Sequence, residues 1–191
     1  MKILVIDACM RGDVSRTRQL YERLLAYEIG EHDVEVLKLA EEDLKPMTGA
    51  DTDIRAEYVN SGMLDHPMFK YAHQFKEADC IIVAAPYWDL SFPSVLKVYL
   101  EQICVTGITF GYEGADCVGY CKAKKLIYLS TCGGFLQGPH LGAEYVKAVG
   151  GMLGIHEFEE FAVEGLDIDP SKVEELMCEG FKRMQSKISV V

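Results

Sequence analysis

The chain has 191 residues, 49% hydrophobic and 26% charged, the balance of an ordinary globular protein long enough to bury a full core. Its net charge of −11, with no run of Lys or Arg, argues against nucleic acid or an anionic membrane as partner. No stretch approaches ~18 continuous apolar residues, which excludes a spanning helix, and the seven cysteines are odd in number and lack a Cys-x-x-Cys pair, as expected of free thiols in a reducing cytoplasm.

Residues 2–6 are apolar on both faces, as a central parallel strand should be, and leave no room for a signal peptide. A loop over 7–14 follows, containing Gly12. Ser15 then fits the N-cap of a helix that carries Leu20, Leu24 and Leu25 on one side and stops near Gly30. Val34, Val36 and Leu37 mark a second, weaker strand. Residues 40–62 are polar, contain Pro46 and Gly49, and have no clear period. They are expected to form a long excursion with a short helix at 54–59, of the kind that is functional or mobile.

Pro67 opens a helix whose inner face is Met68, Tyr71, Ala72 and Phe75. Ile81 to Ala85 form a third, buried strand, which ends in Pro86-Tyr87-Trp88-Asp89-Leu90. Val95, Leu96, Tyr99, Leu100 and Ile103 define the helix behind that loop. Residues 107–122 alternate Ile108, Phe110 and Tyr112 among glycines, a hairpin-like excursion. A fourth strand over 125–130 ends in Thr131-Cys132-Gly133-Gly134-Phe135. The helix after it carries Tyr145, Val146, Val149, Met152 and Leu153 and ends at Gly154. A fifth strand spans Glu157–Val163, and Asp169-Pro170 start the last helix, with Val173, Leu176, Met177, Phe181, Met184 and Ile188 inward.

Five strands alternating with helices predict one α/β domain over 1–191, a doubly wound, five-stranded parallel sheet with helices on both faces. In the strand order 2-1-3-4-5, strands one, three and four are neighbours, and their carboxyl ends line one crevice at the switch point. Three loops therefore converge. The first brings Ser15, Arg16 and Thr17 to a helix N-terminus, where unpaired N–H groups and the helix dipole favour a phosphate, unless Ser15 merely caps. The second offers Tyr87 and Trp88, the only tryptophan, as a flat wall for a ring system or as plain packing. The third places two glycines where backbone donors can approach a ligand. Neither Gly-x-Gly-x-x-Gly nor a P-loop is present.

At these loops the sequence resembles the flavodoxin-like NAD(P)H quinone reductases and FMN-dependent azoreductases. Ala84-Ala85-Pro86-Tyr87-Trp88, then Leu96-Lys97, then Gly107-Ile108-Thr109-Phe110 and Tyr112, is similar to that family's segment from flavin loop to hairpin. The resemblance implies a flavodoxin-like fold, FMN as cofactor with FAD as the alternative, and NAD(P)H as co-substrate. It also implies a homodimer with sites at the interface, and ping-pong hydride transfer to a quinone or azo compound. Carried over, Ser15, Arg16 and Thr17 hold the phosphate, with Cys9 standing where azoreductases commonly have a serine. Pro86, Tyr87, Trp88, Asp89 and Leu90 border the isoalloxazine. Thr131, Cys132, Gly133 and Gly134 form the Gly-Gly site at its pyrimidine edge. Trp88-Asp89 replaces Tyr-Asn and sets a carboxylate beside an electron-rich ring. Gln137-Gly138-Pro139-His140 resembles the Gln-Gly-x-His segment of mammalian-type quinone reductases, which implies a charge-relay role for His140. A flavodoxin-type electron carrier is the competing reading, consistent with the acidic charge. A thiol-based redox sensor using Cys117, Cys121 or Cys132 is a third; a metal site is not expected, for want of paired ligand spacings.

Overall fold

A computed structural model describes residues 1–28 and 32–190. The chain begins with β1 (Lys2–Asp7), α1 (Arg16–Glu28) and β2 (Asp33–Lys38). The excursion that follows contains α2 (Gly49–Asn60), and a 3-10 turn at Pro67–Phe69 leads into α3 (Lys70–Lys76), β3 (Cys80–Ala84) and α4 (Ser94–Ile103). The hairpin β4 (Phe110–Glu113) and β5 (Asp116–Gly119) precedes β6 (Lys125–Thr131), α5 (Leu141–Met152), β7 (Glu157–Val163) and α6 (Val173–Lys187). The expected stop of the first helix near Gly30 lies outside the described residues.

The main sheet is parallel, in the order β2-β1-β3-β6-β7, which is the predicted order once the hairpin strands are set aside. Every residue of β3 is buried, as are all but the first of β1 and β6, because helices cover both faces of the three central strands. Side chains alternate between the faces. Leu4, Ile6, Ile81, Val83, Leu126 and Tyr128 meet α3, α4 and α5, whereas Ile3, Val5, Ile82, Ile127 and Leu129 meet α1 and α6. The edge strands β2 and β7 are only partly buried.

Three elements differ from expectation. α2 is a twelve-residue helix rather than a short one. Its start is a capping box, in which the Thr48 hydroxyl accepts from the Asp51 N–H while the Asp51 carboxylate accepts from the Thr48 N–H. Tyr58 and Val59 seat it on a small separate cluster around Phe69 and Ile108. Pro67 and Pro170 each open a 3-10 turn before the α-helix proper. In α5, the helix expected there, Gly142, Ala143, Val146 and Gly150 form the buried stripe, and Tyr145 and Met152 are exposed.

Candidate active site

The carboxyl ends of β1, β3 and β6 open into one cleft of about 140 Å³, lined by residues of all three predicted loops. Ser15 and Arg16 come from the first, Pro86, Tyr87 and Trp88 from the second, and Thr131, Cys132 and Gly133 from the third. Met10, Arg11, Val14 and Asp167 complete the lining.

A buried ion pair supports the first loop. Asp7, at the end of β1, is 1% exposed and Arg18, on α1, is 4% exposed. Arg18 donates from Nε to Asp7 Oδ2 at 2.8 Å, and from Nη1 to Asp13 at 3.0 Å. The same carboxylate accepts from the Tyr21 hydroxyl (3.0 Å) and the Cys9 N–H (2.8 Å). Burial works against the Arg18 charge, and Asp7 beside it more than restores it. Burial, and then Asp7, push the Tyr21 hydroxyl and the Cys9 thiol upward. The Cys9 side chain is buried and donates to the Ala84 carbonyl, so it lies beneath the loop rather than in the cleft.

At the start of α1, the Ser15 hydroxyl accepts from the Arg18 N–H at 3.5 Å, and Gln19 donates the first backbone bond of the helix to Ser15. The N–H groups of Arg16 and Thr17 have no partner among the described residues, as the first turn of a helix requires. Thr17 is fully buried, and its hydroxyl shares a 2.6 Å hydrogen bond with that of Thr131, tying the first loop to the third.

The third loop is held by residues 165–167. Leu166, Asp167 and Gly165 donate backbone N–H groups to the carbonyls of Cys132, Gly133 and Gly134, at 3.1, 2.8 and 3.0 Å. Carbonyl and N–H are opposed across a trans peptide. The N–H groups of Gly133, Gly134 and Phe135 therefore point away from residues 165–167, and among the described residues they donate to nothing. A Cβ on Gly133 would stand 2.2 Å from Asp167 Oδ2, whereas one on Gly134 would meet nothing within 4 Å.

The second loop is a tight turn in which Trp88 and Ser91 exchange backbone hydrogen bonds of 3.1 and 2.8 Å. Asp89 and Leu90 occupy its two central positions at φ 49° and 67°, so both stand at its exposed tip in the left-handed region. Behind Tyr87 lies His140, 4% exposed, its ring edge-on to Tyr87 (4.9 Å between centroids) and to Tyr128 (5.2 Å). His140 Nδ1 accepts from the Ala143 N–H, capping α5, and burial lowers its pKa. Among the described residues its Nε2 is buried without a partner, as is Tyr128 Oη. His140 is thus close to the cleft but one ring removed from it.

The thiols are poorly placed for chemistry. Cys132 is 1% exposed, with its pKa pushed up to about 11 by burial and by Glu164. Cys121 is raised by burial to about 12, and the exposed Cys117 and Cys178 stand on the hairpin and on α6, away from the cleft. A larger hollow of about 470 Å³ lies away from the strand ends, between the 43–55 segment and residues 67–71. Its charged groups are already engaged, Arg55 with the carbonyls of Glu101 and Cys104, Lys45 with Asp43, and Lys70 with Glu42.

Asp7, Arg18 and Asp167 were not anticipated from sequence. A carboxylate closing an otherwise apolar buried strand is a signal for the first. Arg18 one turn before Tyr21 on an inward face is a signal for the second. Asp167 carries no local signal, since its role depends on a contact with Arg16, 151 positions away.

Fold and cleft together define a doubly wound α/β protein with a ligand crevice at its switch point. The chain belongs to the family with a flavodoxin-like fold, whose model matches residues 1–188. An FMN-dependent NADH:quinone oxidoreductase of Lachnoclostridium phytofermentans is 34% identical over 185 residues, covering 94% of this chain and 93% of the relative. FMN-dependent NADH:quinone oxidoreductase 2 of Clostridium acetobutylicum is 44% identical over 118 residues, 59% of each chain. Among solved structures, an azoreductase from Bacillus anthracis str. Sterne superposes with a TM-score of 0.83 at 28% identity, covering 97% of both chains.

Proposed function

We propose that the chain is an FMN-dependent NADH oxidoreductase that reduces quinones or azo compounds. One observation carries the reading: N–H donors from the start of α1 and from Gly133, Gly134 and Phe135, unpaired among the described residues, flank one cleft whose wall is Pro86, Tyr87 and Trp88. That set fits a flat, anionic cofactor. Arg16 and Thr17 N–H groups at the helix N-terminus suit a phosphate. Tyr87 and Trp88 suit a ring face. The donors at 133–135 suit the pyrimidine edge, where negative charge develops on reduction.

When bound, FMN supplies the two-electron chemistry, taking a hydride equivalent from NADH and returning it to the acceptor. The chain's own residues bind, orient and tune. Asp7 and Arg18 fix the loop at the end of β1, the Thr17–Thr131 bond sets its spacing from the third loop, and residues 165–167 turn the donors outward. His140 holds Tyr87 from behind.

A cleft of about 140 Å³ encloses only part of a flavin, so one face stays open. Nicotinamide and acceptor using that one face in turn makes the order ping-pong, with the nicotinamide product leaving before the acceptor enters. The exposed apolar residues Trp88, Leu90, Phe135 and Leu141 support a homodimer whose partner borders the cleft and leaves that face open. The free cysteines suit a reducing cytoplasm.

The test is the visible spectrum of the purified chain, followed by anaerobic NADH. Flavin bands that NADH bleaches and a quinone restores are the expected result. Bands that NADH leaves unchanged but dithionite removes in two resolved one-electron steps favour an electron carrier. A colourless chain that does not take up added FMN overturns both.

A further inference from the structure

The resemblance to azoreductases assigns Arg16 to the cofactor phosphate, but its side chain is engaged elsewhere. Nη2 donates to Asp167 Oδ1 at 2.6 Å, and Nη1 to the Leu166 carbonyl at 2.9 Å. Both partners belong to the segment whose three backbone donors orient the Cys132, Gly133 and Gly134 carbonyls. The Asp167 carboxylate also fills the space beside Gly133 that a Cβ would need, which explains a glycine there. Arg16, Asp167 and the Gly-Gly loop are thus one connected unit across the cleft.

We propose that Arg16 and Asp167 form a clasp that positions the Gly133–Gly134 donors, and that the Arg16 side chain is not a phosphate ligand. The inference rests on the flavin reading and names its positioning residues. Among the described residues, the Arg16 contacts to residues 165–167 and the Thr17–Thr131 bond are the hydrogen bonds that link α1 to the Gly-Gly loop, beside the apolar packing of α1 on β6. Opening the clasp from either end frees this segment and disperses the N–H groups it orients, while the Arg16 and Thr17 backbone donors stay in place.

The two roles of Arg16 predict opposite signs for one substitution. If Arg16 were a phosphate ligand held off by a competing carboxylate, Asp167→Ala would release it and tighten FMN. If it is half of a clasp, Asp167→Ala and Arg16→Gln weaken binding alike. The experiment titrates FMN, and separately riboflavin, which lacks the phosphate, into the apo forms of the unaltered chain, both variants and the double variant. We expect each single variant to weaken both ligands by the same factor, on the order of threefold to tenfold. The double variant should be no worse than Arg16→Gln, which already loses both contacts to this segment, whereas Asp167→Ala keeps the Arg16 bond to the Leu166 carbonyl. The midpoint potential of the bound flavin should fall in both single variants, since fewer donors face the developing charge. Tighter FMN binding in Asp167→Ala, or a loss in Arg16→Gln confined to FMN, overturns the clasp. Unchanged binding and potential in all variants overturns it too. Failure of the unaltered chain to bind FMN defeats the flavin reading itself, before any variant is compared.

Discussion

Two loops face each other across the cleft and are built on opposite terms. The loop after β1 rests on a buried salt bridge, a tyrosine hydroxyl and the paired backbone donors of Ala8, Cys9, Gly12 and Ser15. The turn after β3 ends in Asp89 and Leu90, both at positive φ and both exposed. The first is over-determined and suits a group bound in one orientation, such as a phosphate. The second carries strain at its tip, which persists only where surrounding structure insists on it, and such positions cluster where ligands or partners meet the chain.

The largest effect should come from breaking the support of the first loop. Arg18→Met removes the cation and leaves Asp7 buried without a counter-charge, which costs about 3–5 kcal/mol. Urea unfolding should show this as a lower midpoint with an unchanged slope. Adding Asp7→Asn should restore part of the loss, because the stranded charge goes with it. If Arg18→Met costs under about 1 kcal/mol, the network does not hold the loop, and the contrast between the two loops collapses.

A smaller effect should come from behind the second loop, where His140 backs Tyr87 and caps α5. Protonating Nδ1 would replace the acceptor of the Ala143 N–H with a donor, and burial already lowers the His140 pKa. The folded pKa is therefore below the unfolded one. The stability tied to neutral His140 is fully present above about pH 6.5 and is lost as pH falls through the folded value. His140→Asn keeps a capping side chain and removes the titration, so its stability should change less than that of the unaltered chain between pH 7.5 and 5. His140→Ala should lose about 1 kcal/mol at neutral pH from the cap alone. Parallel pH profiles for His140→Asn and the unaltered chain would show that another group dominates acid sensitivity.

Most of the architecture was legible because it rests on local pattern. Continuous apolar runs at 3–6, 81–85 and 126–129 are central strands with no solvent face, and β7 falls on the expected residues Glu157–Val163. The extent of α2 was less legible. None of its residues is buried, so it has no apolar stripe, and its capping box at Thr48 and Asp51 was the stronger mark. In the cleft, Ser15, Tyr87, Trp88 and Gly133 could be placed from their positions at strand ends. The engagement of Arg16 could not, because its partners Leu166 and Asp167 come from beyond β7. A helix N-terminus alone does not say which way a long side chain turns.

The smallest effect tests the strained turn itself. Leu90 at φ 67° is a γ-branched residue in a region that costs an L-residue roughly 1–2 kcal/mol, and it is 63% exposed, so packing within the chain returns little. Glycine removes that cost but adds freedom to the unfolded chain, a loss of roughly 0.5–1 kcal/mol. Leu90→Gly should therefore stabilise the isolated chain by about 0.5–1 kcal/mol, read as a rise in the urea midpoint. Sedimentation of the same variant separates two reasons for keeping a leucine there. Weaker self-association alongside the higher midpoint means that Leu90 is held out for a second copy of the chain. Unchanged association would leave the strain serving the shape of the turn alone, with Trp88 as the residue it presents to the cleft.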